Sequence, residues 1–142
     1  MRVSGFDLHT NLGIQQAAQV FRDTSNSMFS GTAKLAANIR RFSGQMTDAQ
    51  RINFFTPRDD DAFAALNEDK EDFAVGASIP KALGTGGGVV TIHLYVWDRG
   101  ARRELCLRAP CSIGNTNATR RALETFVDTY RAEDPELIAH QI

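Results

Sequence analysis

The sequence has few cysteines, which limits both its fold and its chemistry. Only Cys106 and Cys111 occur among the 142 residues, so a small domain held together by several disulfides is excluded. If one β-strand contains both residues, their separation directs the side chains to opposite faces. A disulfide between them would need the strand to break at Pro110. We therefore expect free thiols, which fit a reducing compartment such as the cytoplasm.

Long hydrophobic runs and a strong excess of charge are also missing. No apolar segment approaches the roughly 20 residues that span a bilayer, and residues 1–7 contain no hydrophobic stretch of the kind found in secretory signals. The net charge of −1 gives no general attraction to nucleic acids or anionic membranes. We expect a cytoplasmic protein that binds neither nucleic acid nor membranes.

Motifs of known chemistry are missing as well. The sequence contains no serine-hydrolase elbow, dinucleotide-binding fingerprint, kinase signature or array of zinc ligands, and no motif identifies a family. The glycine-rich run at residues 84–88 leads into a predicted strand, whereas phosphate loops lead into a helix. The acidic segment at residues 59–72 lacks the ligand spacing of a calcium loop, so we expect it to be solvated. These patterns predict neither a metal site nor a cofactor.

The composition that is present is that of a globular domain. Hydrophobic residues make up 42% of the sequence and charged residues 23%, both close to the averages for folded domains. The length is typical of one domain, and no internal repeat or low-complexity linker divides the chain. We therefore expect residues 1–142 to form a single domain.

Hydrophobic periodicity predicts the element order β-α-α-β-α-β-β-β-α. The first helix is expected to begin at Thr10 or Asn11 and to end at the polar run Ser25–Ser27. The other elements are expected at about residues 3–9 (strand), 31–42 (helix), 47–51 (turn), 52–56 (strand), 59–67 (helix), 73–79, 89–97 and 102–109 (strands) and 118–132 (helix).

This order indicates an α+β fold. Strands gather at the N-terminus and in the second half, and long helices lie near both ends, which favours an antiparallel sheet of about four to five strands with helices packed on one face. Two variants fit the pattern: a sheet curved around the long C-terminal helix in the helix-grip manner, and a flat two-layer α/β sandwich.

The clearest local signal is a β-hairpin at about residues 89–111. Two β-rich runs flank a short turn, and a turn centred on Arg99-Gly100 places His93 opposite Cys106. One face of this hairpin is apolar, as is one stripe of the last helix. Together they predict a shared core that contains Ile92, Leu94, Leu105, Leu107, Phe126 and Val127.

The opposite face of the hairpin combines aromatic and cationic side chains, which are enriched at binding hot spots. Another part of the chain, a protein partner or a ligand is expected to cover it. A catalytic pair of His93 with Cys106 is disfavoured, because no third group orients the histidine and a mid-strand thiol is not activated. The candidate binding residues on this face are His93, Tyr95, Trp97, Arg102 and Arg108.

Two classes of function follow from these observations. The first is a small non-catalytic interaction domain, forming a homodimer or binding another protein through the outer face of the hairpin, with Trp97 near the centre of an interface of at least about 1,000 Å². The second is a small-molecule-binding or enzymatic domain, with an apolar pocket between a curved sheet and the C-terminal helix.

Overall fold

The computed structural model describes residues 2–28, 53–57, 71–80, 89–111 and 116–141. These residues form an open, six-stranded antiparallel sheet and two α-helices, which confirms the predicted α+β class and the long C-terminal helix. The strand order across the sheet is β2-β3-β4-β5-β1-β6. The elements are β1 (Arg2–Thr10), α1 (Ile14–Met28), β2 (Asn53–Phe55), β3 (Phe73–Pro80), β4 (Val89–Asp98), β5 (Arg103–Cys111), α2 (Thr116–Glu133) and β6 (Ile138–Gln141).

Both helices pack on one face of the sheet and on each other. The rings of Phe21 in α1 and Phe126 in α2 are stacked, with centroids 4.8 Å apart. The hydroxyl of Tyr130 donates a hydrogen bond to the carbonyl of Ala17 over 2.7 Å. All six residues of the predicted core are buried in one cluster beneath these helices, which confirms that part of the sequence analysis. Neither helix in the described ranges is long and apolar enough to cross a membrane.

Helix α1 continues through the polar run at which it was expected to end. The hydroxyls of Thr24, Ser25 and Ser27 donate hydrogen bonds to carbonyls one turn earlier in the helix. Serine and threonine often compete with helical hydrogen bonding, but these local bonds satisfy their hydroxyls without breaking the helix. The predicted end at Ser25–Ser27 is therefore wrong, and the helix extends to Met28.

The β4–β5 hairpin has the predicted faces but a different register. His93 pairs with Arg108, so the predicted pairing of His93 with Cys106 is wrong by two residues. The turn explains the shift, because the Arg99 amide donates to the Arg102 carbonyl over 2.9 Å and Gly100 has a φ of 85°. A positive φ at the first of two central residues is typical of a type II′ turn, here centred on Gly100-Ala101. A shift of two preserves the alternation of faces.

Strand β5 passes through Pro110 without a break and includes Cys111. Strand β5 pairs with β4 only through residues 103–108. Pro110 lies beyond them, in the part of β5 that pairs with β1 alone. Both cysteines therefore lie on one strand, as expected, and Cys106 is a free thiol.

Several predicted elements can be compared directly with the structure. The expected strands at 3–9, 52–56 and 73–79 correspond to β1, β2 and β3. The sixth strand, β6, was not predicted. The predicted helices at 31–42 and 59–67, the turn at 47–51 and the glycine-rich run at 84–88 lie outside the described residues. Of the acidic segment only Glu71 and Asp72 are described; Asp72 is exposed, as expected, and Glu71 is half-buried.

Candidate functional site

The face of the sheet opposite the helices, called the outer face here, carries four of the five side chains predicted as the binding site of the hairpin. Strand pairing arranges these side chains in three rows that cross the sheet. From β4 towards β6 the rows are Trp97–Glu104–His9–Ile138, Tyr95–Cys106–Asp7–His140 and His93–Arg108–Gly5.

Exposure increases along these rows from the middle of the sheet to its β6 edge. His93, Tyr95 and Trp97 in β4 are only 3%, 6% and 4% exposed, and this burial is achieved within one copy of the chain. His9 and Asp7 in β1 are half-buried. At the edge, Ile138 is 42% exposed and is the one large hydrophobic side chain classed as exposed among the described residues. The outer face thus has a buried half over β3 and β4 and an open half over β1 and β6.

The buried half is built from ring contacts. The Phe55 ring meets His93 edge-on, with centroids 5.5 Å apart. His93 Nδ1 lies 3.2 Å from the Tyr95 hydroxyl, and the Tyr95 and Trp97 rings are 6.4 Å apart. Strand β3 contributes Gly76, where a Cβ atom would overlap the Phe55 ring, so the absence of a side chain allows the ring to lie there. These contacts explain why large polar aromatics are accommodated in the middle of the face.

Between the two halves, a buried arginine connects β5 to β1. Arg108 Nη2 forms a 2.6 Å ion pair with Asp7 Oδ1, and Arg108 Nη1 donates to the carbonyls of Phe6 and Leu107 over 3.1 and 3.0 Å. The guanidinium lies beside Gly5, where a Cβ atom would overlap the backbone of the neighbouring strand β5. A buried charge is tolerable when it is paired and hydrogen-bonded in this way, so Arg108 serves to hold the sheet together.

The thiol of Cys106 belongs to the same cluster and donates a hydrogen bond to Asp7 Oδ1 over 3.2 Å. Burial raises the pKa of Cys106 to about 12, the hydrogen bond to Asp7 and the nearby carboxylates add to the increase, and the charge of Arg108 only partly opposes it. The thiolate is the nucleophilic form of cysteine. At neutral pH Cys106 is therefore protonated and unsuited to nucleophilic attack.

The structure brings together four of the five predicted binding residues, namely His93, Tyr95, Trp97 and Arg108, and separates the fifth. Arg102 is exposed in the hairpin turn. Its neighbour across the turn, Arg99, places its guanidinium carbon 5.9 Å from the centroid of the Trp97 ring and forms a 3.3 Å ion pair with Glu104. Cationic side chains therefore border the buried half at the hairpin tip, and one of them is held over the tryptophan.

A buried carboxylate fixes the segment that leads into β6. Asp134 accepts hydrogen bonds from the Thr10 hydroxyl at 2.7 Å and from the amides of Asn11 and Glu136 at 2.9 and 3.1 Å. Burial by itself raises the pKa of Asp134, but these hydrogen bonds, assisted by the charge of Arg102, outweigh it, so the pKa lies below its ordinary value. The connection from α2 to β6 is thereby anchored to the end of β1.

The open edge at β6 was not predicted from the sequence. Strand β6 has only four residues and follows Pro135 closely, and four residues are too few to show a reliable alternation. The short apolar run at residues 137–139, after Pro135 and Glu136, was the available signal.

The described residues contain no group of three or more histidine, cysteine or acidic side chains arranged to hold a metal ion. No protein-family model, curated protein or solved structure matches the chain.

Proposed function

We propose that the chain is a non-catalytic interaction domain and that its contact surface is the sheet margin, defined as β6 with the half-buried outer-face side chains Asp7 and His9 of β1. The observation that supports this proposal most directly is the exposure of Ile138 on an edge strand. An edge strand presents unpaired backbone amides and carbonyls, which are a template for pairing with another strand. An exposed apolar side chain on that strand adds area that a partner would remove from water.

The margin is a better candidate surface than the outer face of the hairpin. An interface centred on Trp97 needs an exposed aromatic patch, and Trp97 and Tyr95 are buried within one copy of the chain. A partner would reach them only after a rearrangement that uncovers them. Strand β6 needs no such change, because Ile138, His140 and Gln141 are already exposed.

A non-catalytic role also fits the chemistry of the cluster on the outer face. Cys106 is held as a thiol, and Arg108 and Asp7 are paired with each other. Catalytic groups are usually poised to change protonation state or to contact substrate, whereas this cluster is committed to contacts between β1 and β5. A cytoplasmic location, which would keep Cys106 reduced, is part of the same proposal.

The alternative of an apolar pocket between the sheet and the C-terminal helix is less well supported. Large side chains occupy the space between the described helices and the sheet, including Phe21, Phe126 and Tyr130, all with 0% exposure. Close packing of this kind stabilises a core, and it gives a small-molecule ligand no evident place beneath α2.

The proposal can be tested by site-specific photo-crosslinking in the cells that naturally make the protein. A photoreactive amino acid replaces Ile138 in one variant and Asp128, an exposed residue of α2, in a matched control. We expect a discrete covalent adduct from position 138 that position 128 does not give. Equal patterns of adducts at the two positions, or no adduct at position 138, would remove the support for an interaction surface at the margin.

A further inference from the structure

We propose that the last strand is a releasable strap on the edge of the sheet. The strap is defined as residues 134–141, the segment that follows α2 and ends in β6. It opens as one unit while α2 and the other five strands stay folded. This inference does not rest on the proposed interaction function, because it concerns two forms of the chain itself.

The ladders on the two sides of β1 are unequal. On one side, all nine residues of β1 pair with β5, from Arg2 opposite Cys111 to Thr10 opposite Arg103. On the other side, only residues 6–9 pair with β6. Among the described strands, β6 has β1 as its single neighbour. Release of β6 therefore leaves β1 bound to β5 along its whole length.

Few buried side chains hold the strap against the core. Leu137, which is 8% exposed, is the one hydrophobic side chain of the strap that is buried in the core cluster, and Ala139 is half-buried against the same cluster. The other residues of β6 are exposed. Segments with few buried apolar contacts and solvent-exposed backbone hydrogen bonds open locally at a lower free energy than the whole fold.

Hydrogen bonds at the start of the strap supply the rest of its attachment. Asp134 Oδ2 accepts from the Thr10 hydroxyl and the Asn11 amide at 2.7 and 2.9 Å, and Asp134 Oδ1 accepts from the Glu136 amide at 3.1 Å. The side chain of Asn11 adds a bond from Nδ2 to Glu136 Oε2 over 2.9 Å. Asp134 thus acts as a latch between the end of β1 and the strap.

Helix α2 has attachments of its own and stays in place when the strap opens. Its Phe126 ring stacks on the Phe21 ring of α1, and its Tyr130 hydroxyl donates to the carbonyl of Ala17. These three aromatic side chains are each 0% exposed. The strap can therefore swing away beyond Glu133, where α2 ends, without disturbing the packing of the two helices.

Release of the strap changes the edge that the sheet presents. In the closed form this edge is β6, which has four residues. In the open form it is β1, which has nine residues and is held in register by β5. A longer edge strand offers more unpaired backbone groups to an added strand. The strap thus shields β1 and determines which strand edge is available.

The test is residue-specific amide hydrogen exchange of the full chain, measured by NMR under native conditions. The strap reporters are the amides of β6 and those of Glu136 and Leu137, which donate to Asp134. The core reporters are the amides of β4, which pairs with strands on both sides. After correction for intrinsic exchange rates, we expect the strap reporters to exchange at least about a hundredfold faster than the slowest core reporters.

Two substitutions distinguish opening of the strap from global unfolding. Val75→Ala truncates a buried side chain of β3. It should accelerate the core reporters about tenfold or more and leave the strap reporters unchanged, because β3 stays folded in the open form.

Asp134→Asn places an N–H donor where the latch needs an acceptor. It should accelerate both sets of reporters about tenfold, since the closed form loses the same free energy relative to the open and the unfolded forms. The control Asp128→Asn, on the exposed face of α2, should change neither set.

Three results would overturn the inference. They are strap reporters that exchange as slowly as the core reporters in the wild type, strap reporters that follow the core reporters in Val75→Ala, and strap reporters that do not respond to Asp134→Asn. The first comparison needs no substitution, so it tests the strap even if Asp134→Asn does not fold. A photo-crosslinked adduct from position 138, in a protein whose strap reporters exchange as slowly as its core, would uphold the interaction function and refute the strap.

Discussion

At the scale of single residues, the outer face shows how a polar cluster can serve structure. Arg108, Asp7 and Cys106 come from neighbouring positions of β1 and β5, and each satisfies the hydrogen-bonding groups of another. Residue types alone suggest reactivity here, since a thiol and cationic groups lie near each other. The distances and burial reverse that interpretation, because the buried thiol keeps its proton and donates a hydrogen bond to the Asp7 carboxylate.

Cys106 should consequently be inert in the folded protein. A pKa of about 12, compared with an ordinary value of 9.0, leaves roughly a thousandfold less thiolate at neutral pH. In a Cys111→Ser variant, we expect the remaining thiol to react with a disulfide reagent far more slowly in the native state than in urea, as followed by absorbance of the released thiolate. Rapid reaction of the native variant, with its fold intact, would show that Cys106 is accessible and activated.

At the scale of elements, the attachment of β6 depends on residues outside the strand. Asp134 accepts hydrogen bonds from Thr10 and Asn11, which join the end of β1 to the segment before β6, and it accepts a third from the Glu136 amide within that segment. Arg103 strengthens the same corner, donating to the carbonyls of Leu12 and Asn11 at 2.8 Å each. A four-residue strand gains few ladder bonds of its own, so this corner determines how well the sheet margin is ordered.

The Asp134 carboxylate should make stability depend on pH in the acidic range. Its pKa in the folded protein lies below the ordinary value of 3.8, so it stabilises the fold above that pH, and the contribution is lost as the pH falls through the folded pKa. Urea unfolding between roughly pH 6 and pH 2 should show a shallower decline for Asp134→Asn than for the wild type. The control Asp128→Asn should run parallel to the wild type, and parallel curves for all three proteins would contradict the assignment.

Much of this architecture could be predicted from sequence, and the failures have local causes. The core was predicted because Leu94, Leu107 and Phe126 recur with clear periods of two and of 3.6. The hairpin register could not be fixed, because the choice between Arg99-Gly100 and Gly100-Ala101 as turn centre depends on which residue takes the positive φ. The site was half predicted: the sequence placed Tyr95 and Trp97 on one face correctly, but burial of that face depends on long-range packing that alternation does not encode.

At the scale of the whole molecule, the middle of the sheet differs in exposure from its β6 edge. One face is closed by α1 and α2, and the other is buried over β3 and β4, so the middle of the sheet is shielded on both sides. Exposure is concentrated at one end, where β6 forms the edge. Association through that edge would extend the sheet and leave the aromatic half of the outer face unchanged.

This difference in exposure predicts how the protein's single tryptophan responds to association at the proposed sheet margin. Trp97 is 4% exposed within one copy, so its fluorescence should be blue-shifted relative to the unfolded chain. Association with a partner at the proposed sheet margin should leave the emission maximum unchanged, because β6 and not the hairpin forms that margin. Unfolding in urea should shift the emission maximum to the red, because it exposes Trp97 to water. A shift of the emission maximum that accompanies association would instead place the contact on the outer face of the hairpin, because only a contact there changes the surroundings of Trp97.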